Sequence, residues 1–248
     1  MKIAILLLFF CSSLFAEVIS SEKIREIYDQ YVVGPFTEEY KQRYVPLPMH
    51  KNSSPWKWEG KDFARVIAIL EFDRFVQERG LSSENGLAIN PIEPVDPEWH
   101  WIPYKKITKT DYEADPIKYD LHTLDLEEKD FDFVTVNQTL EHVYDPLLCL
   151  KNIHAHMRKG GILYFNVPVN NIPHSVPFHF FTGFTPVQLG ILVHLAGFQI
   201  LSIGQWGNEE YLVRIIKTQG WPDYKELEKP EVNEFHNPAI AWIFAIKE

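Results

Sequence analysis

Cysteine is nearly absent from this 248-residue sequence: there are two, Cys11 and Cys149. No Cys-x-x-Cys pair exists, so dithiol redox chemistry has no carrier. Glycine is sparse as well, and neither a Gly-x-Ser-x-Gly elbow nor a Walker-type phosphate loop can be found. Serine-hydrolase and phosphoryl-transfer chemistry therefore lose their usual sequence signals. Basic residues are in deficit, 24 against 34 acidic, for a formal charge of −10. Such a chain repels phosphate backbones, and pairs such as Lys105-Lys106 and Arg158-Lys159 do not add up to a basic patch, so no nucleic-acid partner is expected. No apolar run approaches the ~20 residues of a membrane-spanning helix. Internal repeats and low-complexity tracts are missing too.

What is present describes a folded α/β chain. Hydrophobic content of 46% with 17 prolines implies a packed core with many fixed turns. Lys2, the apolar run from Ile3 to Phe10 and the Ala16-Glu17 junction read as a cleavable secretion signal over residues 1–16. Export to a periplasm or beyond the cell is the expectation, with a cytoplasmic location as the alternative. Cleavage would remove Cys11 and leave Cys149 alone, so no internal disulfide is expected, which suits a bacterial envelope. Asn52-Ser53-Ser54 and Asn137-Gln138-Thr139 match the glycosylation sequon.

Residues 17–85 read as an N-terminal helical extension. Apolar residues recur at helical spacing in SEKIREIYDQYV and from Lys61 to Arg79, where Gly80 supplies the stop signal. Between them lies a proline-rich loop whose Trp56 and Trp58 are expected to be packing residues. Over 86–248 the pattern becomes short apolar runs divided by turns. Strands are expected at Leu87–Asn90, Lys106–Thr110, Phe131–Asn137, Ile162–Val167, Gln199–Gly204 and Ile240–Ile246. Asp145 and Pro146 open a helix that Gly160-Gly161 should end, and Thr185-Pro186 open another ending near Gly197. Strand, helix and strand in this order cross over into parallel pairing, with ligands beyond the carboxyl ends of the strands.

An ordered set of pieces then carries a resemblance: Asp120-Leu121-His122-Thr123-Leu124, Phe131-Asp132-Phe133-Val134, Leu140-Glu141-His142-Val143 and Gly160-Gly161-Ile162-Leu163. In this order they resemble class I S-adenosylmethionine-dependent methyltransferases of the type-11 kind, over roughly Gly86 to Gly207. The resemblance implies a Rossmann-like three-layer sandwich and S-adenosyl-L-methionine as cofactor. It further implies Asp111 on the ribose hydroxyls, Asp120 on the adenine amine, Leu121 against the adenine ring and Asn137 beside the methionine part.

One piece departs from that pattern. The first strand runs into Asn90-Pro91 rather than into glycine, and proline offers neither an N–H donor nor a left-handed conformation. Asn90, which can visit positive φ, is the candidate to replace the glycine. Pro94, Pro97 and Pro103 leave little room for a first crossover helix. Trp99 and Trp101 are expected to pack rather than to cover an adenosine.

His142, His174 and His179 are the candidates near the methyl acceptor, since a positioned neutral histidine removes a proton near neutral pH. With His122 they form no compact metal-ligand motif, so no metal is expected. The leading reading is methyl transfer to oxygen or nitrogen of a small or medium-sized molecule. Its rival is an inactive binding or scaffold protein that keeps the fold, favoured by the altered loop and the export signal. A structural envelope protein is a third reading. Acceptor and oligomeric state are not encoded in any motif.

Overall fold

The computed structural model describes residues 18–45, 58–91 and 96–248. The expected signal segment, the Asn52 sequon, Trp56 and Pro94 lie outside these residues. Helix α1 (Ser21–Ile27) is capped by the Ser20 hydroxyl and runs on through a wider turn to Val33, and the short α2 (Glu38–Gln42) follows. Helix α3 (Phe63–Arg79) starts on the Asp62 side chain and stops at Gly80, whose φ of 58° is left-handed.

Six strands then form one sheet: β1 (Gly86–Ile89), β2 (Ile107–Lys109), β3 (Phe131–Asn137), β4 (Met157–Pro168), β5 (Phe198–Trp206) and β6 (Ile240–Lys247), in the order β2-β1-β3-β4-β6-β5. β1 to β4 pair in parallel and β6 is antiparallel to both neighbours. All six expected strands are present. β3 and β4 lie side by side in the interior of the sheet, parallel and joined by α4 (Pro146–His156), as the strand-helix-strand pattern predicts.

Apolar residues on both sheet faces explain the three layers. On one face α1, α4 and α5 (Pro186–Leu195) cover Val134, Val136, Leu163 and Phe165. On the other, α3 lays Phe72 against Phe133, Tyr164 and Phe244, with Phe75 stacked on Phe244. Helix α6 (Glu209–Thr218) shares that second face. No helix among the described residues is long and apolar enough to cross a membrane.

Two local expectations need correction. Helix α4 ends at His156, not at Gly160-Gly161, because Met157 already pairs with Phe131 in the sheet. The glycines serve an irregularity inside β4: Gly160 has φ 77°, and a Cβ on Gly161 would stand 2.9 Å from the Phe131 carbonyl oxygen. Helix α6 was not foreseen, because its buried face consists of little more than Tyr211 and Ile215. Trp99 does pack as expected: it is buried, donates from Nε1 to Thr135 Oγ1 at 3.0 Å, and occupies the space a Cβ on Gly86 would fill. Trp58 is buried against Tyr224.

Candidate functional site

Strand order reverses at β1, because β2 lies on one side of it and β3 on the other. Open parallel sheets hold ligands at such a point, beyond the carboxyl ends of the strands. A cavity of about 970 Å³ opens there. Its walls come from the residue after β1 (Asn90), the end of β2 and the turn beyond it (Lys109 to Glu113), the loop Tyr119 to His122, the turn after β3 (Thr139 to Tyr144) and the loop that follows β4 (Ser175, Phe178, Phe180).

Four of the five expected cofactor residues line this cavity. Asn90 takes φ 45°, the left-handed conformation a glycine would supply, and its Oδ1 accepts from the Tyr112 backbone N–H at 3.0 Å. Asp111 and Asp120 each spend Oδ1 on local structure: Asp111 accepts from the Ala114 N–H, and Asp120 from the His122 N–H and ring Nδ1 at 2.9 and 2.7 Å. Both therefore cap turns, and both also face the cavity. Leu121 is buried and shared with the core. Asn137 is not among the lining residues. Its amide donates to Asp96 at 2.9 Å and its Oδ1 accepts from Asn166 at 2.5 Å, in a buried network beneath the site.

Of the expected histidines, His142 lines the cavity, and His174 and His179 stand behind it, their ring centres 4.8 and 5.9 Å from that of His142. His142 Nδ1 lies 2.9 Å from the Phe178 carbonyl oxygen, which can only accept. Nδ1 therefore carries the proton, and Nε2 is the basic nitrogen. Burial, with His174 and His179 adding to it, holds the His142 pKa below the ordinary histidine value. His122 is a wall residue outside this trio: it stacks on Tyr144 at 3.7 Å, and its Nε2 accepts from the Asp145 N–H.

Sequence reasoning placed Phe180 on the ligand side but missed the rest of the aromatic lining, Tyr112, Tyr119, Tyr144 and Phe178. Tyr112 and Tyr119 adjoin the two chosen acids, and Phe178 and Phe180 flank His179, so adjacency was the available signal. The lining holds three acids, Asp111, Glu113 and Asp120, against one lysine, Lys109. Carboxylates and aromatic faces together favour a cationic, ring-bearing ligand and disfavour a polyphosphate.

Comparison with known families decides the assignment. A model described as a methyltransferase domain matches residues 71–203, more than half of the chain. The chain belongs to this methyltransferase-domain family. The match begins inside α3 and ends within β5, so it includes every element around the cavity of this methyltransferase domain. No curated protein matches the chain. Among solved structures, the N-methyltransferase NodS from Bradyrhizobium japonicum WM9, in complex with S-adenosyl-L-homocysteine, is 14% identical with a TM-score of 0.49, covering 84% of this chain and 98% of its own. An S-adenosylmethionine-dependent methyltransferase from Mesorhizobium loti is 14% identical with a TM-score of 0.48, over 73% and 98%.

Proposed function

We propose that the chain is an S-adenosylmethionine-dependent methyltransferase acting at oxygen or nitrogen of a small or medium-sized acceptor. The observation that carries the reading is the acid-lined, aromatic cavity at the strand reversal, within a methyltransferase-family domain. Its volume, at the upper end of the ~300–1,000 Å³ typical of ligand pockets, suits a nucleoside-sized cofactor beside a small acceptor.

The residues present fit that cofactor. Asp111 and Asp120 each keep a second carboxylate oxygen beyond the one that caps a turn, suited to ribose hydroxyls and to an exocyclic amine respectively. Leu121 offers an apolar contact for the adenine. Left-handed Asn90 turns the chain away from β1 where a glycine would otherwise be needed, although Pro91 supplies no N–H to the methionine end. When bound, the cofactor supplies a methyl group on a sulfonium already activated for in-line attack. The protein then has to align the acceptor and take its proton. His142, uncharged near neutral pH with Nε2 as its basic atom, is suited to that transfer.

Calorimetry with S-adenosyl-L-homocysteine tests the reading. Wild type is expected to bind, and Asp120→Ala to bind at least about tenfold more weakly, since a hydrogen bond to a charged group is worth ~1.5–3 kcal/mol. No binding at millimolar ligand would instead support the scaffold reading. Methyl transfer from labelled cofactor then separates an enzyme from a protein that only binds it.

A further inference from the structure

The loop after β4 and the turn after β3 bring three imidazoles together. One ring nitrogen from each of His142, His174 and His179 lies within 4.8 Å of the others. Two of these rings are oriented alike: His142 Nδ1 faces the Phe178 carbonyl oxygen at 2.9 Å, and His174 Nδ1 faces that of Ile172 at 3.0 Å. A carbonyl accepts only, so both Nδ1 atoms carry the proton and both Nε2 atoms keep a bare lone pair. Metal-binding histidines are commonly fixed in this way, with one nitrogen tied to backbone and the other left for the ion. Both ring nitrogens of His179 are buried without a hydrogen-bond partner among the described residues.

A second observation points to the same place. Glu141 is fully buried, and neither of its carboxylate oxygens has a hydrogen-bond partner among the described residues. Its Oε1 is 3.9 Å from His142 Nε2. The Glu141 backbone carbonyl accepts from the N–H groups of Phe180 and Phe181, which fastens the His179 loop over this carboxylate. A buried carboxyl beside unpartnered imidazole nitrogens costs folding free energy unless something completes the set. A divalent cation would take one nitrogen from each imidazole and give the buried carboxyl a charged neighbour.

We infer that His142, His174 and His179 bind a divalent transition-metal ion, with Glu141 as the adjoining carboxylate. Imidazole donors suit zinc, nickel, copper or iron and not magnesium or calcium. A metal–nitrogen length of ~2.0–2.1 Å requires ligand atoms about 3.3 Å apart, so small ring rotations on the partly exposed loop complete the site. Three histidines leave a position open, and His142 lies in the cavity wall, so an oxygen or nitrogen ligand reaches the ion from that side. When the ion is bound, His142 Nε2 is withdrawn from proton transfer, and the ion's charge takes over the task of making an acceptor hydroxyl acidic. The inference is independent of cofactor binding.

Cobalt(II) titration of the chelator-treated full chain, read by visible absorption and by zinc competition, provides the test. Wild type is expected to take up one equivalent and to show ligand-field bands. His174→Ala/His179→Ala should weaken binding by more than about 100-fold, because even outer-shell partners are worth ~10–100-fold. His194→Ala, on α5, should leave it unchanged. Zinc should raise the melting temperature of wild type and not that of the double variant, a readout that also shows whether the variant is folded. Absence of cobalt bands in wild type, or equal affinity in the folded double variant, overturns the site.

Discussion

Asn90 and Thr110 exchange hydrogen bonds: the Asn90 backbone N–H donates to Thr110 Oγ1 at 3.0 Å, and the Thr110 hydroxyl donates to Asn90 Oδ1 at 3.2 Å. The same Oδ1 accepts from the Tyr112 N–H. One amide side chain thus joins the ends of β1 and β2 and fixes the turn bearing Asp111, in a place where glycine would give freedom without cross-links.

Replacing Asn90 separates the conformational from the hydrogen-bonding contribution. Asn90→Ala loses both bonds and must hold a Cβ at φ 45°, so it should cost about 2–3 kcal/mol. Asn90→Gly loses the same two bonds but is unstrained at this φ, so it should cost about 1–2 kcal/mol, less than Asn90→Ala. Urea unfolding gives the order, and calorimetry should show both variants binding S-adenosyl-L-homocysteine more weakly than wild type. Equal stability of the two variants would remove the strain argument.

The sequence was most readable where one chemical signal fixes one element. β3 is a run buried at every position, and Thr185-Pro186 forms a cap and first turn as its composition dictates. Gly160-Gly161 misled because glycine ends helices and also relieves bulges, and only pairing with Phe131 distinguishes the two. Asp120, within the ordered motifs, and Asp111, at the end of the second strand, both stand in the cavity wall, whereas the Asn137 side chain turns to Asp96 and Asn166, a packing choice that no motif encodes. His142, His174 and His179 were each singled out near the acceptor, but their spacing carries no compact metal-ligand signature. His142 precedes α4 and β4 while His174 and His179 follow them, and backbone bonds from Phe180 and Phe181 to Glu141 bring the two parts together.

Stability should respond to pH through Asp62, the cap of α3. It accepts from the Ala64 N–H and from the Tyr211 hydroxyl, yet burial outweighs these donors and pushes its pKa from 3.8 to about 6. The folded chain therefore holds this proton more tightly than the unfolded one. The stability tied to the bound proton is complete below the unfolded value and is lost as pH rises through about 6, by at most about 3 kcal/mol. Asp62→Asn keeps an acceptor at the cap without the titration. Wild type should consequently lose stability relative to Asp62→Asn between pH 4 and about 6.5, and parallel stability curves for the two would refute the assignment.

The floor beneath the site depends on a buried ion pair between two layers. Arg65 on α3 forms two hydrogen bonds to Glu98, at 2.6 and 2.8 Å, and Glu98 is 0% exposed. Glu98 sits in the short helical turn Pro97–His100, which occupies the β1-to-β2 connection in place of a full crossover helix. Through Asn166 the pair reaches Asn137 and then Asp96. Removing one partner strands the other charge in the core, at a typical cost of ~3–5 kcal/mol, whereas replacing both with apolar residues of similar volume is often close to neutral. Arg65→Met should accordingly destabilise by about 3–5 kcal/mol, and adding Glu98→Leu should recover most of the loss. A double-variant cycle by urea unfolding measures both. If Arg65→Met costs less than about 1 kcal/mol, the pair behaves as a solvated surface bridge, and the network under the cavity has to be held by the asparagines alone.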